Sequence, residues 1–162
     1  MNLSFPFPLQ AHLQKGTCHV IAEVQHKDGN LIPFIPFDLS LSDDGILFLS
    51  LEQERSRVGE ALVDSLWFDR PLYLWFSGDT ASFRITLRAH RIHIVGRHFY
   101  YMLHRARSRD PQADIDAVWE LRIEEWEETA KPLPQPFPCS LTGERDCHLD
   151  HQLLSSCNFY NN

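Results

Sequence analysis

Hydroxyl and guanidinium groups gathered where a helix begins can do chemistry, because with the free backbone N–H groups there they form a pocket for an anion such as phosphate. Ser50, Arg55, Ser56 and Arg57 stand in that relation, ahead of the apolar stripe Val58, Ala61, Leu62 and Leu66. Plainer roles exist for each. Ser50 followed by Gln53 has the form of a capping box, and Ser56 and Arg57 suit a solvated helix turn. Arg84 and Arg88 form a second set, on one face of a strand, where a guanidinium fork could bind an anion in a groove. Cys139, Cys147, His148, His151 and Cys157 form a third, with thiolate and imidazole groups of the type that hold zinc. Their spacing lacks a C-x-x-C pair, so packing or unstructured cysteines are favoured over a metal site. His90, His93, His98 and His104 have no clear carboxylate partner in the sequence, and surface or helix-packing roles are favoured over haem ligation.

Charge is distributed unevenly around these groups. From Thr80 to Arg109 there are seven arginines and no acid, whereas Asp110 to Glu128 holds eight acids against Arg122 alone. The plainer reading is that the two stretches neutralise each other across the fold or across a dimer interface. Over all 162 residues, 15 Lys+Arg against 22 Asp+Glu give a formal charge of −7, which argues against a general nucleic-acid binder. The start of the chain lacks a basic region, and its two prolines interrupt any signal-like apolar run, so a cytoplasmic setting is expected. No apolar run approaches the roughly 20 residues needed to cross a bilayer. An apolar fraction of 43% is enough for a single core.

The elements that must position these groups are mostly strands. Thr17 to Gln25 is rich in β-formers, and Lys27-Asp28-Gly29-Asn30 supplies a tight turn into a strand over Leu31 to Leu39. Pro33 and Pro36 make that second strand an edge, bulged or partly irregular one. Asp43-Asp44-Gly45 turns the chain into a buried strand ending at Ser50, and a helix of about three turns follows. Leu72 to Phe76 reads as a strand with Gly78-Asp79 as its turn. Ser82 to Val95 is a long strand whose apolar parity switches after His90, which predicts a bulge or a change of covered face. Phe99, Met102, Leu103 and Ala106 define a second helix ended by Asp110-Pro111, and Val118 to Glu125 is the last strand. Proline at every second position from Pro132 to Pro138 makes a stiff linker. The expected organisation is therefore a domain over 1–130 and a Pro-rich linker with a Cys/His-containing tail over 131–162. Six antiparallel strands with two or three flanking helices make the class mainly β, and a small closed barrel is favoured.

The run of elements over about residues 17 to 126 resembles the FMN-binding split barrels of the pyridoxamine 5'-phosphate oxidase-like and flavin-reductase-like group. It is carried by the Asp-Gly turn, the Pro-containing strand, Gly-Ile-Leu-Phe-Leu-Ser, Arg55-Ser56-Arg57 at the helix start, and the long Arg-bearing strand. The resemblance implies a homodimer that binds FMN at its interface and acts on a small redox substrate. It places Ser50 at the strand-end hydroxyl of that family, and Ser56 and Arg57 at the first two positions of its phosphate-binding Ser-Arg-Lys run. Val58 stands where the lysine is expected, and Arg55 or Arg84 could compensate, with Arg88 beside Arg84 as a further candidate cofactor-binding residue. Pro36 and Phe37 fall where the second strand of such proteins passes the flavin ring; an ordinary edge strand is the alternative. No catalytic residue is implied, because the flavin carries the hydride chemistry. A second function class is a non-enzymatic split-barrel interaction module without flavin, with haem or metal binding through the histidines or the tail as a further variant.

Overall fold

A computed structural model describes residues 19–52, 57–77, 82–131, 133 and 134. Two short loops shape its first half, and both depend on glycine. Gly29 at φ 87° and Gly45 at φ 78° occupy the left-handed region that closes a three-residue hairpin loop. In the first, His26 N–H donates to Asn30 O at 2.8 Å and Asp28 caps the Asn30 N–H at 2.9 Å. This loop joins β1 (His19–Gln25) to β2 (Leu31–Phe34), and the second joins β3 (Asp38–Leu41) to β4 (Ile46–Glu52). Helix α1 (Arg57–Trp67) follows, then β5 (Pro71–Ser77), β6 (Ser82–His93), helix α2 (Arg97–Arg109) and β7 (Ile115–Thr129).

All seven strands form one antiparallel sheet in the order β2-β1-β5-β6-β7-β4-β3. The expected count of six is thus corrected: the segment 31–39 is two strands, because Ile35-Pro36-Phe37 breaks it and sends its halves to opposite edges of the sheet. That break dictates the shape. Four Cα steps from Phe34 to Asp38 reach at most about 15 Å, whereas the edges of a flat seven-stranded sheet would be about 29 Å apart. The sheet must curl into a half-barrel. Its edges do not pair with each other, so the barrel is open and not closed as expected.

The inner face carries the main core, with Phe34, Leu47, Leu74, Phe76 and Leu121 fully buried. Helix α1 plugs one end of the barrel through Ala61 and Leu62, both at 0% exposure, and packs on β1 and β6. Helix α2 lies on the outer face, where Met102 and Ala106 meet Phe48, Ile115 and Val118. The bulge expected after His90 is found between Ala89 and Arg91, and a second shift lies between Thr86 and Leu87. No helix among the described residues is long and apolar enough to cross a membrane. The tail residues 135–162 lie outside the described residues.

Candidate functional site

The mouth of the barrel, beside α1, holds a cleft of about 520 Å³. Its position follows from the pairings: β4 ends at Glu52 against Ile115, and Ile92 near the end of β6 pairs with Trp119. Ala117 and buried Trp119 of β7 therefore meet Leu51 and Ile92 at one end of the sheet, where α1 lies across the opening. The helix contributes Glu60, Val63 and Asp64, whose spacing puts them on one face. His26 and Lys27 come from the β1–β2 turn, and Asp116 from the start of β7. The apolar wall suits a planar or hydrocarbon body, and the polar groups can select the ligand by charge.

Arg57 stands at the first position of α1, half exposed, with Nη2 3.4 Å from Asp28 Oδ2. Asp28 belongs to the turn that also supplies His26 and Lys27. The Asn30 backbone N–H, helped by His26, holds the Asp28 carboxyl below its usual range. Glu60, Asp64 and Asp116 have no hydrogen-bond or ion-pair partner for their carboxylates among the described residues. Sequence reasoning missed these three, since two lie on a helix and one on a strand far along the chain.

The other expected site residues are spread over the fold. Ser50 is not a helix cap: it lies within β4, opposite Asp38 and Val118, at 0% exposure, and its Oγ has no hydrogen-bond partner among the described residues. Arg55 and Ser56 lie outside the described residues. Pro36 is buried at the break between β2 and β3. Phe37 packs against the cluster under α2, with the Arg109 guanidinium 5.9 Å from its ring centre. Arg84 is sandwiched near Tyr73 and Trp75 and bonds Glu127 at 2.9 Å. Arg88 bonds Glu124 at 3.0 Å and the Asp69 carbonyl. The two arginines share no partner with Arg57, and their acids come from the same chain.

Two further polar clusters sit on the outer face. Asp38, only 7% exposed, receives Arg105 through Nε at 2.8 Å and Nη2 at 3.1 Å, and Arg109 at 3.0 Å. The Asp38 bonds hold the Arg105 proton more firmly than in water. His93 Nε2 lies 2.9 Å from Glu120 Oε2, and His98 stacks on Phe48 at 4.7 Å. Burial alone would raise the Glu120 carboxyl, but the hydrogen bond and charge of His93, with His90 and Arg91, outweigh it and hold the carboxyl low. No group of three or more His, Cys, Asp or Glu among the described residues is arranged to hold a metal.

No family model matches the sequence, and no curated protein does. Solved structures do match. HupZ of Group A Streptococcus superposes with a TM-score of 0.61 at 13% identity, over 76% of this chain and 94% of that one. An FMN-binding protein of Syntrophomonas wolfei gives 0.60 at 6% identity, over 77% and 85%. A candidate pyridoxamine 5'-phosphate oxidase of Lactobacillus delbrueckii gives 0.50 at 21% identity, over 73% and 89%. At these identities the likeness is one of architecture, and the seven-stranded open sheet with α1 plugging its end agrees with it. The chain has the split-barrel fold that the FMN-binding and pyridoxamine 5'-phosphate oxidase-like proteins share.

Proposed function

We propose that the chain binds flavin mononucleotide at the barrel mouth, as a homodimer, and supports flavin-dependent redox chemistry on a small molecule. The observation that carries this reading is the cleft of about 520 Å³ with half-exposed Arg57 at the adjoining start of α1. The donor set fits both ends of such a molecule. Arg57 and Lys27 would hold the phosphate, aided by the backbone N–H groups of the helix start. Leu51, Val63, Ile92 and Trp119 offer an apolar wall for a planar ring. When bound, the flavin supplies the hydride chemistry. The chain's own residues bind and orient it, and none is assigned as catalytic. The likeness to an FMN-binding split barrel supports the same reading.

A second reading, a binding module without flavin, is favoured by one specific observation: three unpartnered carboxylates line the cleft, while Val58 stands where a cation would help a phosphate. An absorption spectrum of the purified protein and an FMN titration followed by quenching of flavin fluorescence decide between them. Flavin bands or saturable quenching support the first reading. A colourless protein that leaves FMN fluorescence unchanged overturns it in favour of the second.

A further inference from the structure

Side chains from four elements meet where α2 begins: Phe48 of β4, His93 of β6, His98 of α2 and Glu120 of β7. His93 is tied down, since its Nε2 lies 2.9 Å from Glu120 Oε2 and the two side chains are only 14% and 11% exposed. His98 is held more loosely. It is exposed, stacks on Phe48 with ring centres 4.7 Å apart, and stands 5.0 Å from the His93 ring, with no hydrogen bond among the described residues. The helix start has little other support. Gly96 offers no side chain to cap it, and the first turn holds Arg97 and no acid. Its opening backbone bond runs from Tyr100 N–H to Gly96 O at 3.0 Å.

We infer that His93 and His98 form an acid-sensitive latch: protons on both rings release the first turn of α2 from the sheet and bare Phe48. Imidazole is the side chain that gains its charge between about pH 8 and 5. With one ring charged, Glu120 balances it. With both charged, two cations face each other at 5.0 Å against that one carboxylate. The other titratable or charged groups around the pair, among the described residues, are basic: His90 and Arg91 of β6, Arg122 of β7 bonded to His90, and Arg97 beside His98. From β4 comes the uncharged Phe48, and Asp38 of β3 is held by Arg105 and Arg109 far along the helix. The free N–H groups of a helix start also repel a cation. An imidazolium gains from the Phe48 ring face, but at an exposed site that attraction is the weaker effect. His93 stays with Glu120, because charge strengthens their bond. His98 is therefore the ring that leaves, and Phe48, 9% exposed beneath it, loses its cover. The latch lies outside the barrel mouth and is independent of a bound flavin.

The test follows amide hydrogen exchange in the full chain by NMR, each rate taken relative to that of an unstructured chain at the same pH. Protection of the Tyr100 and Tyr101 amides is expected to fall about tenfold between about pH 7.5 and pH 5.5, while the amides of β1 and β5 keep theirs. Glu120 keeps its charge over that range, since its carboxyl lies below 4.5. His98→Phe leaves a flat ring on Phe48 that takes no proton, and should make the Tyr100 amide indifferent to pH. His93→Gln can still donate to Glu120 but removes the facing charge, and should shrink the fall. A fall of full size in either variant overturns the inference, as does protection in the unaltered protein that does not change with pH. A fall shared by β1 and β5 also overturns it, because the whole fold is then loosening and not one turn.

Discussion

Arg57 is 51% exposed and is held by a single 3.4 Å contact to an exposed carboxylate, so its guanidinium can change partner at little cost. Arg57→Ala should therefore weaken FMN by about tenfold in fluorescence titration while leaving the melting temperature nearly unchanged. Equal affinity in the two proteins would remove Arg57 from the site. Glu120 behaves differently, since its carboxyl is nearly buried beside His93. Its folded value lies below the ordinary 4.5, so its charge stabilises the fold above that pH, and this contribution is lost as the pH falls through the folded value. Melting temperature should drop as the pH goes below about 4.5, and Glu120→Gln should flatten that drop. Arg57 was legible in the sequence because a helix start is marked by the apolar spacing that follows it. Ser50 was not. Its hydroxyl looked like a cap because Gln53 follows at capping distance, but the strand runs on past it. Helix α2, far along the chain, covers that face of the sheet.

At the scale of elements, α1 and α2 are held in contrasting ways. Helix α1 is held by apolar burial, and Leu62→Ala should cost about 3 kcal/mol in denaturant unfolding, because the fully buried side chain plugs the barrel end. Helix α2 is also tied to the edge strand β3 through Asp38, which two arginines grip across its breadth. Asp38→Asn should cost about 2 kcal/mol, less than a fully buried pair, because Arg105 and Arg109 keep much of their water. An unchanged unfolding midpoint would show the grip to be ornamental. Periodicity revealed both helices, the Asp-Gly turns and the bulge near His90, since each is written in neighbouring residues. It did not reveal that Pro36 divides one strand into two. A proline marks where pairing fails locally, but which distant strand each half then joins depends on the whole sheet. The last strand also ran longer than its alternating core, from Ile115 to Thr129, because pairing with β6 carries it through a charged stretch.

For the molecule as a whole, the basic and acidic stretches meet within one chain, through β6 and β7, as Arg84–Glu127 and Arg88–Glu124 show. Charge pairing between copies is therefore not needed to balance them. Apolar surface remains instead: Ile94 and Val95 are 69% and 63% exposed at the turn between β6 and α2. Sedimentation equilibrium should give twice the mass of the chain, and Ile94→Glu with Val95→Glu should reduce it to one. A single-chain mass for the unaltered protein would remove the homodimer. The order of the strands has one more consequence, for the making of the protein. Strands β2, β1, β5 and β6 form one block and β4 and β3 another, and the strand that joins them, β7, is the last of the described strands. A chain emerging from the ribosome can assemble each block early but cannot close the sheet between them until β7 is released. Folding should thus wait for the last strand, with the unpaired edges of β6 and β4 exposed in the meantime.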